Sequence, residues 1–372
     1  MNKSYLPVLV LSLLIQIGCT VQFIPETDED KELLVVEGMI TDQNRKYTIK
    51  LSKSLPLGKM GIPKPVKGAK VSVSDEKGAV FNFIESQTGK YVSDSTRFRG
   101  RVGGKYTLFI RINNLTYSSQ IMEMKPSPPI DSVYYERVLI AEPNYLGIKE
   151  EGCQIYIDTY DPSTRCLYYR WDFTETWEFR LPYSVPNRVC WKSSPSDRIF
   201  IKNTAVYNQA RVSKYPLKYI SNQSDRLKVK YSILVNQYSL NESEYDFWEK
   251  LQYVSGNVGG LYDITPMAIS SNIVCNEDRD ETVLGYFSVS AISQQRIFIK
   301  ERFEGIPNFY SYCPSDTIFG GGNIPDLNIS VWIIDNQIDA VPPFRVITLF
   351  KECADCTVNG TNKKPVFWDD QK

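Results

Sequence analysis

The stretch Tyr168 to Arg180 constrains the fold more than any other part of the chain. Trp171, Phe173, Trp177 and Phe179 stand at alternate positions, with Asp172, Thr174, Thr176, Glu178 and Arg180 between them. Successive side chains of a β-strand point to opposite faces, so this spacing predicts a strand with one aromatic, buried face. Glu175 alone breaks the apolar side. Lys228 to Leu234 repeats the alternation with Val229, Tyr231 and Ile233. The chain as a whole is rich in Tyr (24) and Phe (17), residue types that pack well on a pleated, half-buried surface.

Residues 33–124 read as short strands between turns. Leu33 to Ile40 opens the series, and Asp42-Gln43-Asn44 turns it. Ala69, Val71 and Val73 alternate after a turn at Gly68, and further strands begin near Lys90-Tyr91 and Lys105-Tyr106. Strands at this spacing predict a β-sandwich. The pattern resembles Ig-like and transthyretin-like modules related to carboxypeptidase regulatory domains, which serve more often as scaffolds than as active sites. Pro126, Pro128 and Pro129 mark residues 125–129 as a stiff, Pro-rich linker, because proline fixes φ and lacks an amide donor. Residues 130–372 then form a larger β-rich domain with one amphipathic helix over Ser239 to Val254. Ser239 or Asn241 caps that helix, Tyr245, Trp248 and Leu251 make its apolar stripe, and Gly256 ends it. The expected fold class is all-β.

Charge and composition narrow the function. Lys plus Arg and Asp plus Glu stand at 43 each, which removes the broad basic surface that nucleic-acid binding requires. The sequence contains no histidine. Ser-His-Asp triads, Cys-His dyads and HExxH zinc sites are therefore excluded together. Catalysis would have to rest on carboxylates, Tyr, Lys or Cys, and no cofactor or metal is expected.

The amino terminus carries an address. Lys3 precedes an apolar stretch from Leu6 to Ile17, which has the form of a signal peptide and falls short of the ~20 residues that a membrane span needs. Gly18 before Cys19 resembles a lipobox, with Gln16 where Leu is usual. Residues 1–18 are expected to be removed and residues 19–32 to form a tether lipidated on Cys19. Acyl chains such as palmitate would anchor it, each buried methylene contributing about 0.8 kcal/mol. Thr20 is not the Asp that retains many lipoproteins at the inner membrane, so the outer membrane is expected. The acidic run from Glu26 to Glu32 resembles a surface-export signal and reads equally well as a solvated tether.

Removing Cys19 from the eight cysteines leaves an odd number in an oxidising compartment, so at least one is free or paired outside the chain. Cys353-x-x-Cys356 lacks the βαβ setting of a thioredoxin-like redox site. A zinc site with Cys275 and Cys313 would lack a second CxxC. Structural disulfides among Cys275, Cys313, Cys353 and Cys356, tying the carboxy-terminal tail to the second domain, are the expectation, with the pairing open. Gly320-Gly321-Gly322 lacks the Lys-Ser/Thr of a P-loop and reads as a surface loop. Asp172, Glu175 and Glu178 could supply a glycosidase pair, but Glu175 and Glu178 leave a strand on opposite faces.

A chain of motifs carries a family resemblance. Arg170-Trp171-Asp172-Phe173 is followed by Val189-Cys190-Trp191, Tyr231-Ser232-Ile233-Leu234 and Tyr245-Asp246-Phe247-Trp248. Asn272-Ile273-Val274-Cys275, Val283-Leu284-Gly285-Tyr286-Phe287, Cys353-Ala354-Asp355-Cys356 and a closing Pro365-Val366-Phe367-Trp368 complete the series. Together they resemble the Bacteroidota outer-membrane lipoproteins of domain-of-unknown-function family 4249. The resemblance brings no catalytic residues. It implies an outer-membrane lipoprotein, commonly encoded near TonB-dependent receptors. Together with the lipobox, the two β-modules and the abundant aromatics, this sets the expectation: a surface-exposed, non-catalytic binding or interaction module accessory to a TonB-dependent receptor in nutrient uptake. The alternatives are a structural envelope protein and a carboxylate-dependent hydrolase.

Overall fold

Strand follows strand through most of the chain. The computed structural model describes residues 32–55, 61–141, 149–257, 269–303, 313–320 and 330–369. The signal peptide, Cys19 and the acidic tether through Lys31 lie outside them. Nine strands precede the prolines: β1 (Leu34–Ile40), β2 (Thr48–Lys53), β3 (Lys64–Pro65), β4 (Lys70–Asp75), β5 (Val80–Gln87), β6 (Lys90–Val92), β7 (Lys105–Ile112), β8 (Leu115–Ser119) and β9 (Met122–Glu123). Seven follow: β10 (Ile130–Ala141), β11 (Lys149–Asp161), β12 (Tyr168–Arg180), β13 (Val189–Pro195), β14 (Phe200–Asn203), β15 (Ala210–Ser221) and β16 (Lys230–Leu240). Helix α1 (Glu242–Asn257) comes next, then β17 (Ile273–Cys275), β18 (Val283–Val289) and β19 (Ile292–Ile299). The chain closes with β20 (Ser315–Phe319), β21 (Trp332–Gln337), β22 (Phe344–Thr348) and a single-turn helix, α2 (Lys351–Ala354). The fold is all-β with one long helix, as the alternation predicts.

The first sheet runs β17-β8-β7-β4-β5-β6-β2-β1-β18. Strand β5 pairs with β4 through Val80 to Phe83 and with β6 from Ile84 onward, so one strand passes between the two halves of the sheet. Both halves send alternate residues into one core, among them Val36, Ile49, Val73, Tyr91, Leu108 and Ile110. The sequence expectation ended this unit at residue 124, and the structure corrects it. Strand β18 pairs parallel with β1, and β17 pairs with β8, so segments from beyond residue 270 complete both edges. Ile273, Cys275, Val283, Phe287 and Val289 enter the same core, which the first nine strands leave open without them. Gly285 makes the parallel pairing possible: at φ +86° it faces Val36, and a Cβ would stand 2.0 Å from the Val36 carbonyl oxygen.

The second unit packs sheet β10-β11-β15 against sheet β13-β12-β16-β19. Tyr169, Trp171, Phe173 and Trp177 of β12 meet Val133, Ile155 and Ile157 in its core. Residues 125–129, expected to be a stiff, Pro-rich linker, are pinned to β16. Gln237 Nε2 donates to the Pro128 carbonyl (2.8 Å) and Ser239 Oγ to that of Lys125 (2.6 Å). Prolines lack donors but keep their carbonyl acceptors, and β16 supplies the missing partners. This use of Ser239 also corrects the helix start. Ser239 belongs to β16, and α1 begins after Asn241, whose carbonyl accepts from the Tyr245 amide (2.9 Å). Gly256 lies inside the last turn of α1.

Candidate functional site

Strand β12 shows where the two units meet. Its outward residues should be solvated, yet Arg170 and Glu178 are buried and Thr174 between them is exposed. Helix α1 covers the Arg170 end, and the carboxy-terminal tail covers the Glu178 end. Phe247 of α1 joins the first core beside Tyr286, while Tyr245 packs with Ile201, Tyr238 and Leu240 of the second unit. The stripe expected from Tyr245, Trp248 and Leu251 is thus divided between two units. Its Trp248 touches both.

Between α1 and the outer face of β1, β2 and β18 lies a cavity of about 640 Å³. Its walls include Met39, Phe247, Trp248, Leu251, Leu284 and Tyr286. Leu284 and Tyr286 are the outward residues of β18, so this edge strand is apolar on both faces, as a buried parallel strand must be. The charged residues on the wall are Glu37, Lys50 and Arg170. Glu37 and Lys50 pair at 3.4 Å at the exposed rim.

Arg170 lies deeper. Its guanidinium carbon stands 4.4 Å from the Tyr238 ring centroid and 4.5 Å from that of Trp248, so two aromatic rings lie against the cation. One terminal nitrogen lies 3.7 Å from Asp172 Oδ2, beyond hydrogen-bonding distance, and 3.9 Å from Met39 Sδ. Its Nε has no partner among the described residues, and neither does Trp248 Nε1.

Glu244 sits behind this wall with no solvent exposure and no hydrogen bond of normal geometry to either carboxylate oxygen. Burial pushes its carboxyl up to about 7, while Ser288, Arg170 and Trp248 pull in the opposite direction. The arrangement is an apolar chamber with Arg170 on its wall and, behind that wall, a buried carboxyl pushed up to about 7. It can hold an apolar molecule and orient one polar group.

Of the three carboxylates singled out from sequence, Asp172 stands beside Arg170, and Glu175 and Glu178 lie elsewhere. Glu175 is buried beneath β12, where Arg226 reaches its Oε1 at 2.8 Å and the Tyr231 hydroxyl donates to its Oε2 at 3.1 Å. Glu178 accepts from Trp368 Nε1 (3.1 Å) and pairs with Arg180 on the opposite face, and Asp172 accepts from Asn236 Nδ2 (2.6 Å). The strand separates Glu175 from Glu178, and all three carboxylates are occupied.

Cys190 pairs with Cys356 and Cys313 with Cys353. This corrects the cysteine set: Cys190 enters it, and Cys275 leaves it, buried and unpaired beside Glu277. Cys153 and Cys166 are also buried thiols, and burial raises all three. Gly320 donates its amide to Pro343 O, and the two glycines after it lie outside the described residues. Arg170 and Glu244 carried no signal of their own in the sequence. Each looks like an outward, solvated residue until the element covering it is known.

The model of the family described as "Domain of unknown function (DUF4249)" matches residues 21–296. The chain belongs to this family. The DUF4249 match takes in every residue that lines the cavity, from Val35 to Ser288, and stops short of the disulfide-bonded tail. No curated protein matches the chain.

Proposed function

We propose that this DUF4249 chain is an outer-membrane lipoprotein, anchored through Cys19, that acts as a non-catalytic binding module accessory to a TonB-dependent receptor in nutrient uptake. The observation that carries the binding role is the apolar cavity between α1 and the β1–β18 face, large enough for a small molecule and supplied with few, directed polar groups. Gly18-Cys19 and the preceding apolar stretch support the anchor, and Thr20 supports the outer membrane. The first sheet, an Ig-like scaffold in this reading, then holds the cavity close to the tether, because β1 begins soon after residue 32.

The test is purification of the tagged full-length protein from membranes with its anchor intact. Mass spectrometry of the amino-terminal peptide should find acyl chains on Cys19, and Cys19→Ala should release the protein from the membrane fraction. A TonB-dependent receptor should co-purify with the anchored form. A solitary protein in repeated preparations, or an unmodified Cys19, would count against the respective half of the proposal.

A further inference from the structure

We infer that the cavity binds an apolar molecule ending in a single carboxylate, a fatty-acid-like amphiphile, with the carboxylate seated on Arg170; this rests on the binding-module reading above. The walls call for an apolar body, since Phe247, Trp248, Leu251, Ile269 and Leu284 surround the space. The polar end is set by what the cavity offers at depth. Arg170 is cationic and nine-tenths buried, and its Nε is unpartnered. Tyr238 and Trp248 lie against the guanidinium, and the 11% of the Arg170 side chain that stays accessible is what the wall offers a carboxylate, which accepts paired N–H bonds from a guanidinium.

An amine is disfavoured by the same geometry. Glu244 would be its counter-charge, but Glu244 has no exposed surface and does not line the cavity, whereas Arg170 does. Asp172 lies 3.7 Å from the guanidinium and is itself held by Asn236, so it leaves Arg170 short of a close anionic partner. Glu37 and Lys50 neutralise each other at the rim and impose no net preference on entry. A buried cation that lacks a closely bonded counter-ion is costly to keep, and a ligand carboxylate would supply one.

The experiment measures binding to the full mature chain by calorimetry, with dodecanoate, 1-dodecanol and dodecylamine as probes of one length and three end groups. Dodecanoate should bind about tenfold more tightly than dodecanol, and dodecylamine should bind most weakly. Arg170→Gln should bring dodecanoate down to the dodecanol level, while Leu251→Trp, which fills the cavity, should weaken both. Because the probe series is read on the unaltered protein, a poorly folded variant does not remove the test. Equal affinities for the acid and the alcohol, or a preference for the amine, would overturn the carboxylate assignment. In that case binding lost in Leu251→Trp would still uphold the cavity as a binding site. No binding of any probe to the unaltered protein would overturn the ligand class, and receptor co-purification would then decide the binding-module reading on its own.

Discussion

Glu175 and Glu244 are both fully sequestered carboxylates, and the regions around them treat them in opposite ways. Beneath β12, Glu175 meets the forked guanidinium of Arg226 and the hydroxyl of Tyr231, so its charge is fully coordinated. Under α1, Glu244 meets Ser288, Trp248 and Arg170 only loosely, and its carboxyl rises to about 7. Burial alone therefore does not mark a functional carboxylate. What separates a structural charge from an available one is whether the surroundings complete its hydrogen bonds.

The largest effect should come from breaking the completed site. Arg226→Ala takes the counter-ion from Glu175 at 1% exposure and leaves it the Tyr231 hydroxyl, and should cost about 3–5 kcal/mol of stability in chemical denaturation. The double variant Arg226→Met with Glu175→Met should recover most of that loss, because neither charge remains to be desolvated.

Glu244→Gln should act in the other direction. With its carboxyl pushed up by burial from the ordinary 4.5 to about 7, Glu244 holds a proton in the native state that the unfolded chain has already released. Stability is therefore full below about pH 4.5 and declines as pH rises toward 7, by about 3 kcal/mol in all. The variant should match the native protein near pH 4 and be more stable by up to that amount at pH 8, as read from Tm against pH. Parallel Tm profiles for the two proteins would show that Glu244 is compensated in the way Glu175 is.

Tyr231→Phe sharpens the contrast on a smaller scale. It removes one buried donor from Glu175 and leaves the Arg226 fork in place, so about 2 kcal/mol should be lost in the same denaturation assay.

How far this was legible in the sequence depends on the range of each interaction. The alternation in β12 and β16 is local, and it yielded strands whose faces the structure keeps. Glu175 stood out because it broke that alternation, but Arg226, its partner, lies in a short turn 51 residues away and gave no sign. Glu244, in the first turn of α1, stood out by nothing in the sequence. Its burial follows from β18 pairing with β1 across some 250 residues of sequence, and parallel pairing at that distance leaves no local mark except apolar residues on both faces of β18. The prolines of 125–129 predicted a stiff linker, but not its partners: the Pro128 carbonyl accepts from Gln237 and that of Lys125 from Ser239, which the sequence offered as a helix cap.

Glu178 should give the smallest effect, and it tests whether the comparison holds on the outer face of the same strand. Its Oε2 accepts from the Trp368 indole, which the tail brings over the end of β12, and its Oε1 pairs with Arg180, whose side chain is 55% exposed. Glu178→Gln keeps an amide oxygen that can accept the indole N–H and loses only attraction to a solvated guanidinium, so the cost should be below about 1 kcal/mol. The tail should stay docked, since Lys230 Nζ still donates to the Trp368 carbonyl and the Cys190–Cys356 bond still holds the segment. Limited proteolysis should therefore cut the variant no faster than the native protein after residue 360. Faster cutting, or a loss as large as that of Arg226→Ala, would mean that the tail leaves Glu178 dependent on its charge, and would place it with Glu175 as a carboxylate whose removal the fold cannot absorb.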